Sequence, residues 1–63
     1  MPMITVDWLE GRTQQQKARL TDAMTRAFVE IAKVPAEQVW IVFREVKRSD
    51  WAMGGKLLAD KTT

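Results

Sequence analysis

The chain contains neither cysteine nor histidine, and each absence excludes a large class of protein chemistry. Without cysteine there is no disulfide bond and no thiolate zinc site. Without histidine there is no usual metal ligand, no usual general base and no Ser-His or Cys-His nucleophile pair. Catalysis by this chain would therefore depend on amines, guanidinium groups, carboxylates or aromatic side chains, with no metal.

Long hydrophobic runs and a strong charge imbalance are also missing. The longest apolar runs are about five residues, far short of the roughly 20 that a membrane span needs. No signal peptide is visible. Ten Lys and Arg residues against eight Asp and Glu residues give a net charge of +2, and the basic residues are spread along the chain. We therefore predict a cytoplasmic protein that binds neither membranes nor nucleic acid.

The length of 63 residues predicts one domain, which spans residues 1–63. A domain this small buries only about 60% of its unfolded surface, and it usually needs disulfides, a metal or oligomerisation to be stable. Because cysteine and histidine are absent, oligomerisation is the device that remains.

Residues 3–9 alternate in part between apolar and polar side chains, which predicts a β-strand. One face of this strand comprises Ile4, Val6 and Trp8. Thr13 and Gln16 have the spacing of a capping box, which predicts that a helix begins there.

The helix carries one apolar stripe and should end before Pro35, because proline disfavours the α conformation at Val34. The stripe comprises Leu20, Ala23, Met24, Ala27, Phe28, Ile31 and Ala32. Residues 39–46 then predict a second strand. A strand, helix, strand order indicates a right-handed βαβ crossover with parallel strands.

A single helix can cover only one face of a two-stranded sheet. The apolar pair left uncovered is either Trp40 and Val42 or Ile41 and Phe43. The simplest cover is another copy of the chain, so packing predicts a homo-oligomer. The segment 50–58 contains adjacent glycines, which permit a tight turn, and predicts a short hairpin that docks on a neighbouring subunit.

Pro2 can be interpreted in two ways. The first residue of a strand is one of the few sheet positions that tolerate proline. Alternatively, removal of Met1 would leave Pro2 as a secondary amine at the N-terminus. Apolar walls and cationic neighbours disfavour the charged form of an amine and lower its pKa, so Pro2 could act as a general base at neutral pH.

Arg12 and Trp51 also have two interpretations each. Arg12 follows the first strand and is either a solvated loop residue or a clamp for a carboxylate, which a guanidinium group matches with two parallel hydrogen bonds. Trp51 is either an ordinary core or interface residue or part of a substrate-binding wall.

Together these features resemble the 4-oxalocrotonate (2-hydroxymuconate) tautomerase family over nearly the whole chain, from Pro2 to about residue 60. The resemblance rests on the proline behind Met1, on Leu-Glu-Gly-Arg at the end of the first strand, and on an aromatic-x-x-Gly-Gly segment that begins at Trp51. Each feature is weak alone, but their order and spacing in a chain of this length are specific.

The resemblance implies an α+β fold: a single βαβ unit with parallel strands plus a short C-terminal hairpin, assembled as a homohexamer that is a trimer of dimers. It also implies an isomerase without a cofactor, acting on 2-hydroxymuconate-like enols in the degradation of aromatic compounds. By position, Pro2 would be the general base and Arg12 would hold a substrate carboxylate. Leu9 and Trp51 would form an apolar wall. Trp40 stands where well-known members carry a second arginine, so it is a further substrate-contacting position.

Three hypotheses follow. The first is a tautomerase of 2-hydroxydienoates with Pro2 as the acid–base group. The second keeps the scaffold but assigns hydration or dehalogenation of small unsaturated acids, with Pro2 protonated, because the bulky Trp40 changes the pocket. The third is a non-catalytic oligomeric binding module in which Pro2 merely begins a strand.

Overall fold

The computed structural model describes residues 2–60 of the chain. Its three main elements are β1 (Met3–Leu9), α1 (Gln14–Ala32) and β2 (Trp40–Val46). The bounds of β1 are those predicted for the first strand. Met1 and residues 61–63 lie outside the described range. The predicted removal of Met1 therefore concerns a residue outside the described range.

The two main strands form a parallel ladder, as predicted. Its register runs from Met3 opposite Trp40 to Leu9 opposite Val46. One residue before β1, the carbonyl of Pro2 accepts a hydrogen bond from the backbone N–H of Trp40 over 3.0 Å, so the pairing of the two chain segments extends to the proline. The βαβ unit therefore places the amino ends of both strands at one end of the sheet and their carboxyl ends at the other end.

β2 begins one residue later than residues 39–46 predict. A 3-10 turn, Ala36–Gln38, follows Pro35 and precedes the strand. The backbone N–H of Val39 donates to the carbonyl of Ala36 over 3.1 Å, which closes this turn. Because its donor is used in the turn, Val39 does not join the ladder.

The start of α1 shows the predicted capping box, and the helix ends before Pro35, as predicted. The Thr13 hydroxyl accepts a hydrogen bond from the Gln16 backbone N–H over 3.1 Å, and the Gln16 side chain accepts one from the Thr13 backbone N–H over 2.9 Å. At the other end, Lys33 has a φ of 60° in the left-handed region, two residues before Pro35. A reciprocal capping box thus begins the helix, and a left-handed residue ends it.

α1 covers one face of the sheet and leaves the other open. The Nζ atom of Lys17 lies 2.6 Å from a carboxylate oxygen of Glu45, which ties the start of the helix to β2. The half-buried side chains beneath the helix are Ile4, Val6, Trp8, Ile41 and Phe43. On the open face Met3 is 61%, Trp40 51% and Val42 36% exposed. Of the two predicted alternatives, Trp40 and Val42 are therefore the uncovered pair.

Residues 2–60 of a single copy enclose no core. None of the residues from 2 to 60 is fully buried. The Cα radius of gyration is 15.3 Å, whereas a compact domain of this length has a value of about 11 Å. An isolated chain therefore leaves an unusually large share of its apolar surface in water, which supports the predicted oligomerisation.

The segment after β2 forms the predicted hairpin. Its strands are β3 (Ala52–Met53) and β4 (Lys56–Leu57), paired antiparallel. Gly54 and Gly55 connect them with φ angles of 60° and 84°, the positive values that a two-residue hairpin turn requires. This hairpin is a sheet of its own and is not hydrogen-bonded to the β1–β2 ladder. It therefore forms an arm beside the main unit.

Two further features of the described elements bear on possible partners. Within residues 2–60, no helix is both long enough and apolar enough to cross a membrane. The same part of the chain contains no group of three or more His, Cys, Asp or Glu side chains placed to hold a metal ion. The cytoplasmic location stays a prediction.

Candidate active site

Pro2 and Trp40 lie together at the amino-terminal edge of the sheet. The hydrogen bond from the Trp40 backbone N–H to the Pro2 carbonyl, 3.0 Å long, joins the two residues directly. Pro2 is half-buried, and the Trp40 side chain is 51% exposed on the open face. The hydrogen bond thus fixes the backbone at Pro2 against the start of β2.

Leu9 and Arg12 lie at the opposite edge. Leu9 is the last residue of β1 and is half-buried opposite Val46. Gly11 has a φ of 123°, which only glycine adopts readily, and it turns the chain between the strand and α1. Arg12 follows this turn immediately and is exposed.

The Arg12 guanidinium lies over an aromatic ring of its own chain. Its Cζ atom is 5.1 Å from the centroid of the Trp8 ring, within the range of a cation–π contact. Trp8 stacks on Phe43 of β2 with a centroid distance of 5.1 Å and an interplanar angle of 25°. The sequence indicated the strand face of Trp8 but not this contact, because the contact depends on the direction of the turn at Gly11.

The charge of Arg12 is not neutralised within the described part of the chain. Ion pairs in that part are Lys17 with Glu45 and Arg26 with Asp22, the latter 3.0 Å apart. No carboxylate oxygen of residues 2–60 lies within 4.0 Å of the Arg12 nitrogens. An exposed guanidinium without an internal carboxylate partner is available to bind an anionic ligand.

Trp51 lies at the base of the hairpin arm. It follows a 3-10 turn, Arg48–Asp50, and is half-buried. Its carbonyl accepts a hydrogen bond from the Leu58 backbone N–H over 2.8 Å, and a nitrogen of the Arg48 side chain donates to the Leu58 carbonyl over 3.3 Å. The position of Trp51 is therefore set by the closure of the arm.

The five predicted site residues fall into two groups within one chain. Pro2 and Trp40 are at the amino ends of the parallel strands, whereas Leu9, Arg12 and Trp51 are at or beyond their carboxyl ends. Leu9 is seven residue steps along the extended chain from Pro2, a distance of about 23 Å. One chain therefore does not bring the candidate base and the candidate anion clamp together.

Comparison with known proteins identifies the family. The profile of the family described as tautomerase enzyme matches residues 2–61. A probable tautomerase of Bacillus cereus is 41% identical over 61 residues, which are 97% of this chain and 100% of the relative. The 2-hydroxymuconate tautomerase of Bacillus subtilis is 37% identical over 60 residues, which are 95% of this chain and 97% of the relative. The chain belongs to the tautomerase family, a family of isomerases.

A solved structure shares the fold. The heterohexameric 4-oxalocrotonate tautomerase from Chloroflexus aurantiacus superposes with a TM-score of 0.84 and is 33% identical, covering 95% of this chain and 97% of that chain. The resemblance seen in the sequence is thus confirmed at the level of family and fold. Membership of an enzyme family favours the two enzymatic hypotheses over the non-catalytic binding module.

Proposed function

We propose that this protein is a cofactor-independent tautomerase that converts 2-hydroxydienoates such as 2-hydroxymuconate into their keto forms. In this proposal Pro2 is the general acid–base group after removal of Met1. The observation that carries the proposal is the position of Pro2, which is half-buried and whose carbonyl accepts a hydrogen bond from the Trp40 backbone N–H.

The partial burial of Pro2 would favour the neutral amine. Removing an amine from water disfavours its charged form. The proline ring also restricts the backbone, so the nitrogen lone pair would point in one direction. A neutral secondary amine in a fixed position can remove a proton at neutral pH without histidine.

The proton transfer conserves atoms and electrons. The Pro2 nitrogen takes the proton from the 2-hydroxyl group of the substrate. The electrons of that O–H bond become the π bond of the carbonyl group. The electrons of the carbon–carbon double bond then form a new C–H bond with the proton that the Pro2 ammonium returns. Arg12 would hold a substrate carboxylate through the guanidinium edge, and Leu9 and Trp51 would exclude water from the dienyl chain.

A complete site of this kind requires at least two copies of the chain, because Pro2 and Arg12 are at opposite ends of the parallel strands. Both strands of the sheet are edge strands with free backbone groups. Two copies placed edge to edge with antiparallel strands would bring the Pro2 end of one sheet against the Arg12 end of the other. We therefore propose a homo-oligomer, a hexamer built as a trimer of dimers. The heterohexameric relative raises the alternative that a second kind of subunit completes the site.

The direct test is the ketonisation of 2-hydroxymuconate, followed by its ultraviolet absorbance, on protein whose mass shows that Met1 has been removed. The proposal predicts a rate well above that of buffer and a decrease of about 10²-fold or more in Pro2→Ala. An unchanged rate in Pro2→Ala would contradict the assignment of the base. No rate in the folded, processed oligomer would contradict the choice of substrate.

The position of Trp40 favours a second candidate function. Trp40, which is 51% exposed, occupies the position at which well-known members of the resembled family carry a second arginine. The same scaffold could therefore hydrate or dehalogenate small unsaturated acids, with Pro2 protonated as the acid. A pH–rate profile separates the two functions, because a base is active above the pKa of the Pro2 amine and an acid is active below it. Chloroacrylate would serve as the second substrate.

A further inference from the structure

We propose that Trp8 is a positioning residue, which holds the Arg12 guanidinium in the orientation that binds a substrate carboxylate. This inference rests on the proposed function, because it assigns Arg12 to the substrate. It starts from a stack of three groups: Arg12 over Trp8, and Trp8 over Phe43.

The stack restricts an otherwise mobile side chain. Arginine loses considerable rotamer entropy when it is fixed, and Arg12 is exposed in a loop with no carboxylate partner among residues 2–60. A Cζ-to-centroid distance of 5.1 Å gives the guanidinium an electrostatic attraction to the ring face. The loss of side-chain entropy that fixes Arg12 therefore occurs on folding, before substrate binds.

A guanidinium group placed over an aromatic ring can keep its hydrogen-bonding edge free. When the group lies flat on the ring, one face is covered and the N–H donors point outward in its own plane. A carboxylate binds in that plane with two parallel hydrogen bonds. The same arginine can therefore rest on Trp8 and hold an anion.

The Trp8 ring is held by packing rather than by a hydrogen bond. Its Nε1 atom is buried and has no acceptor among residues 2–60. The Phe43 ring stacks on it with a centroid distance of 5.1 Å and an interplanar angle of 25°, which restricts the plane of the Trp8 ring. Trp8→Phe is therefore an informative variant, because it keeps an aromatic face and loses no hydrogen bond, while Trp8→Leu removes the face.

The first measurement is kinetic. Trp8→Leu is expected to raise the KM for 2-hydroxymuconate about two- to fivefold, with a smaller change in kcat, and Trp8→Phe to raise it less. In an Arg12→Ala background, Trp8→Leu should cause no further rise. A merely structural role would give the same rise in both backgrounds, and that result, or an unchanged KM in Trp8→Leu, would overturn the proposal.

The second measurement does not require turnover. Protons above an aromatic ring shift upfield, so the side-chain NMR signals of Arg12 should lie upfield of those of Arg19, an exposed arginine of α1. They should return to the Arg19 values in Trp8→Leu. The affinity for trans,trans-muconate, a dicarboxylate that has no enol to ketonise, should fall about two- to fivefold in the same variant.

The two measurements separate the inference from the proposed function. Upfield Arg12 signals with Trp8-dependent muconate binding, but without ketonisation, would refute the proposed reaction and support the role of Trp8. Arg12 signals equal to those of Arg19, or a muconate affinity that is the same in Trp8→Leu, would refute the role of Trp8 even in an active enzyme.

Discussion

Pro2 and Arg12 carry different parts of the proposed chemistry, and their surroundings differ accordingly. Pro2 is half-buried and joined to the ladder through its carbonyl, as a group that must deliver a proton along one direction requires. Arg12 is exposed after a glycine turn, as a group that must meet an incoming anion requires. Substitution of Pro2 should therefore mainly lower kcat, and substitution of Arg12 should mainly raise the KM for carboxylate substrates.

Arg12→Ala is expected to raise the KM for 2-hydroxymuconate by about tenfold to a hundredfold, because charge-assisted hydrogen bonds to the carboxylate are lost. Arg12→Lys should give an intermediate value, since an ammonium group keeps the charge but not the paired donors. The matched control is Arg19→Ala, which removes an exposed arginine on α1. Equal KM values for Arg12→Ala and Arg19→Ala would show that Arg12 does not bind the substrate.

Single elements are stabilised by local devices, of which the capping box of α1 is the clearest. Thr13 and Gln16 satisfy each other's backbone N–H groups at the start of the helix. The helix in turn covers the Trp8 face of the sheet, so its first turn adjoins the loop that carries Arg12. Loss of the cap should therefore reduce stability without removing any catalytic group.

Thr13→Ala is expected to lower the free energy of unfolding by about 1 kcal/mol per chain, because a backbone N–H loses its acceptor. The measurement is urea denaturation at fixed protein concentration, since assembly contributes to stability. Thr25→Ala, in the middle of α1, is the control and should be neutral or slightly stabilising because alanine favours helix. A Thr13→Ala curve that matches the Thr25→Ala curve would contradict the role of the cap.

Elements could be predicted from the sequence where a pattern within a few neighbouring residues determines them. β1 follows from alternation, and the start of α1 from a capping box within four residues. The start of β2 was predicted one residue early because a hydrogen bond of the Val39 backbone closes the preceding turn. The contact of Arg12 with Trp8 was not predictable, since it depends on the φ angle of Gly11 and on tertiary packing.

The described part of the chain is elongated, with extents of 45 × 23 × 14 Å, and one face of its sheet is open. Met3, Trp40 and Val42 expose apolar side chains there. A small domain without an enclosed core is marginal in water. Assembly through this face would complete the hydrophobic core, and edge-to-edge pairing of sheets would complete the candidate site.

Val42→Asp is expected to dissociate the assembly, because the assembled state would have to bury a carboxylate on the open face. Val29→Asp is the matched control, since Val29 has nearly the same exposure, 37% against 36%, but lies near Asp22 and Arg26 on α1. The mass of each variant in solution can be measured by sedimentation. Retention of the full assembly in Val42→Asp would contradict the proposed use of this face.

The central proposal is a site shared between chains, and mixing two inactive variants tests it most directly. Pro2→Ala lacks the base and Arg12→Ala lacks the clamp, so each pure assembly should be nearly inactive. Reassembled as an equal mixture, they should recover about one quarter of the wild-type sites, because half of the isologous pairs are mixed and each mixed pair has one intact site. No recovery in a mixture shown to have exchanged subunits would mean that Pro2 and Arg12 do not act in one site built from two chains.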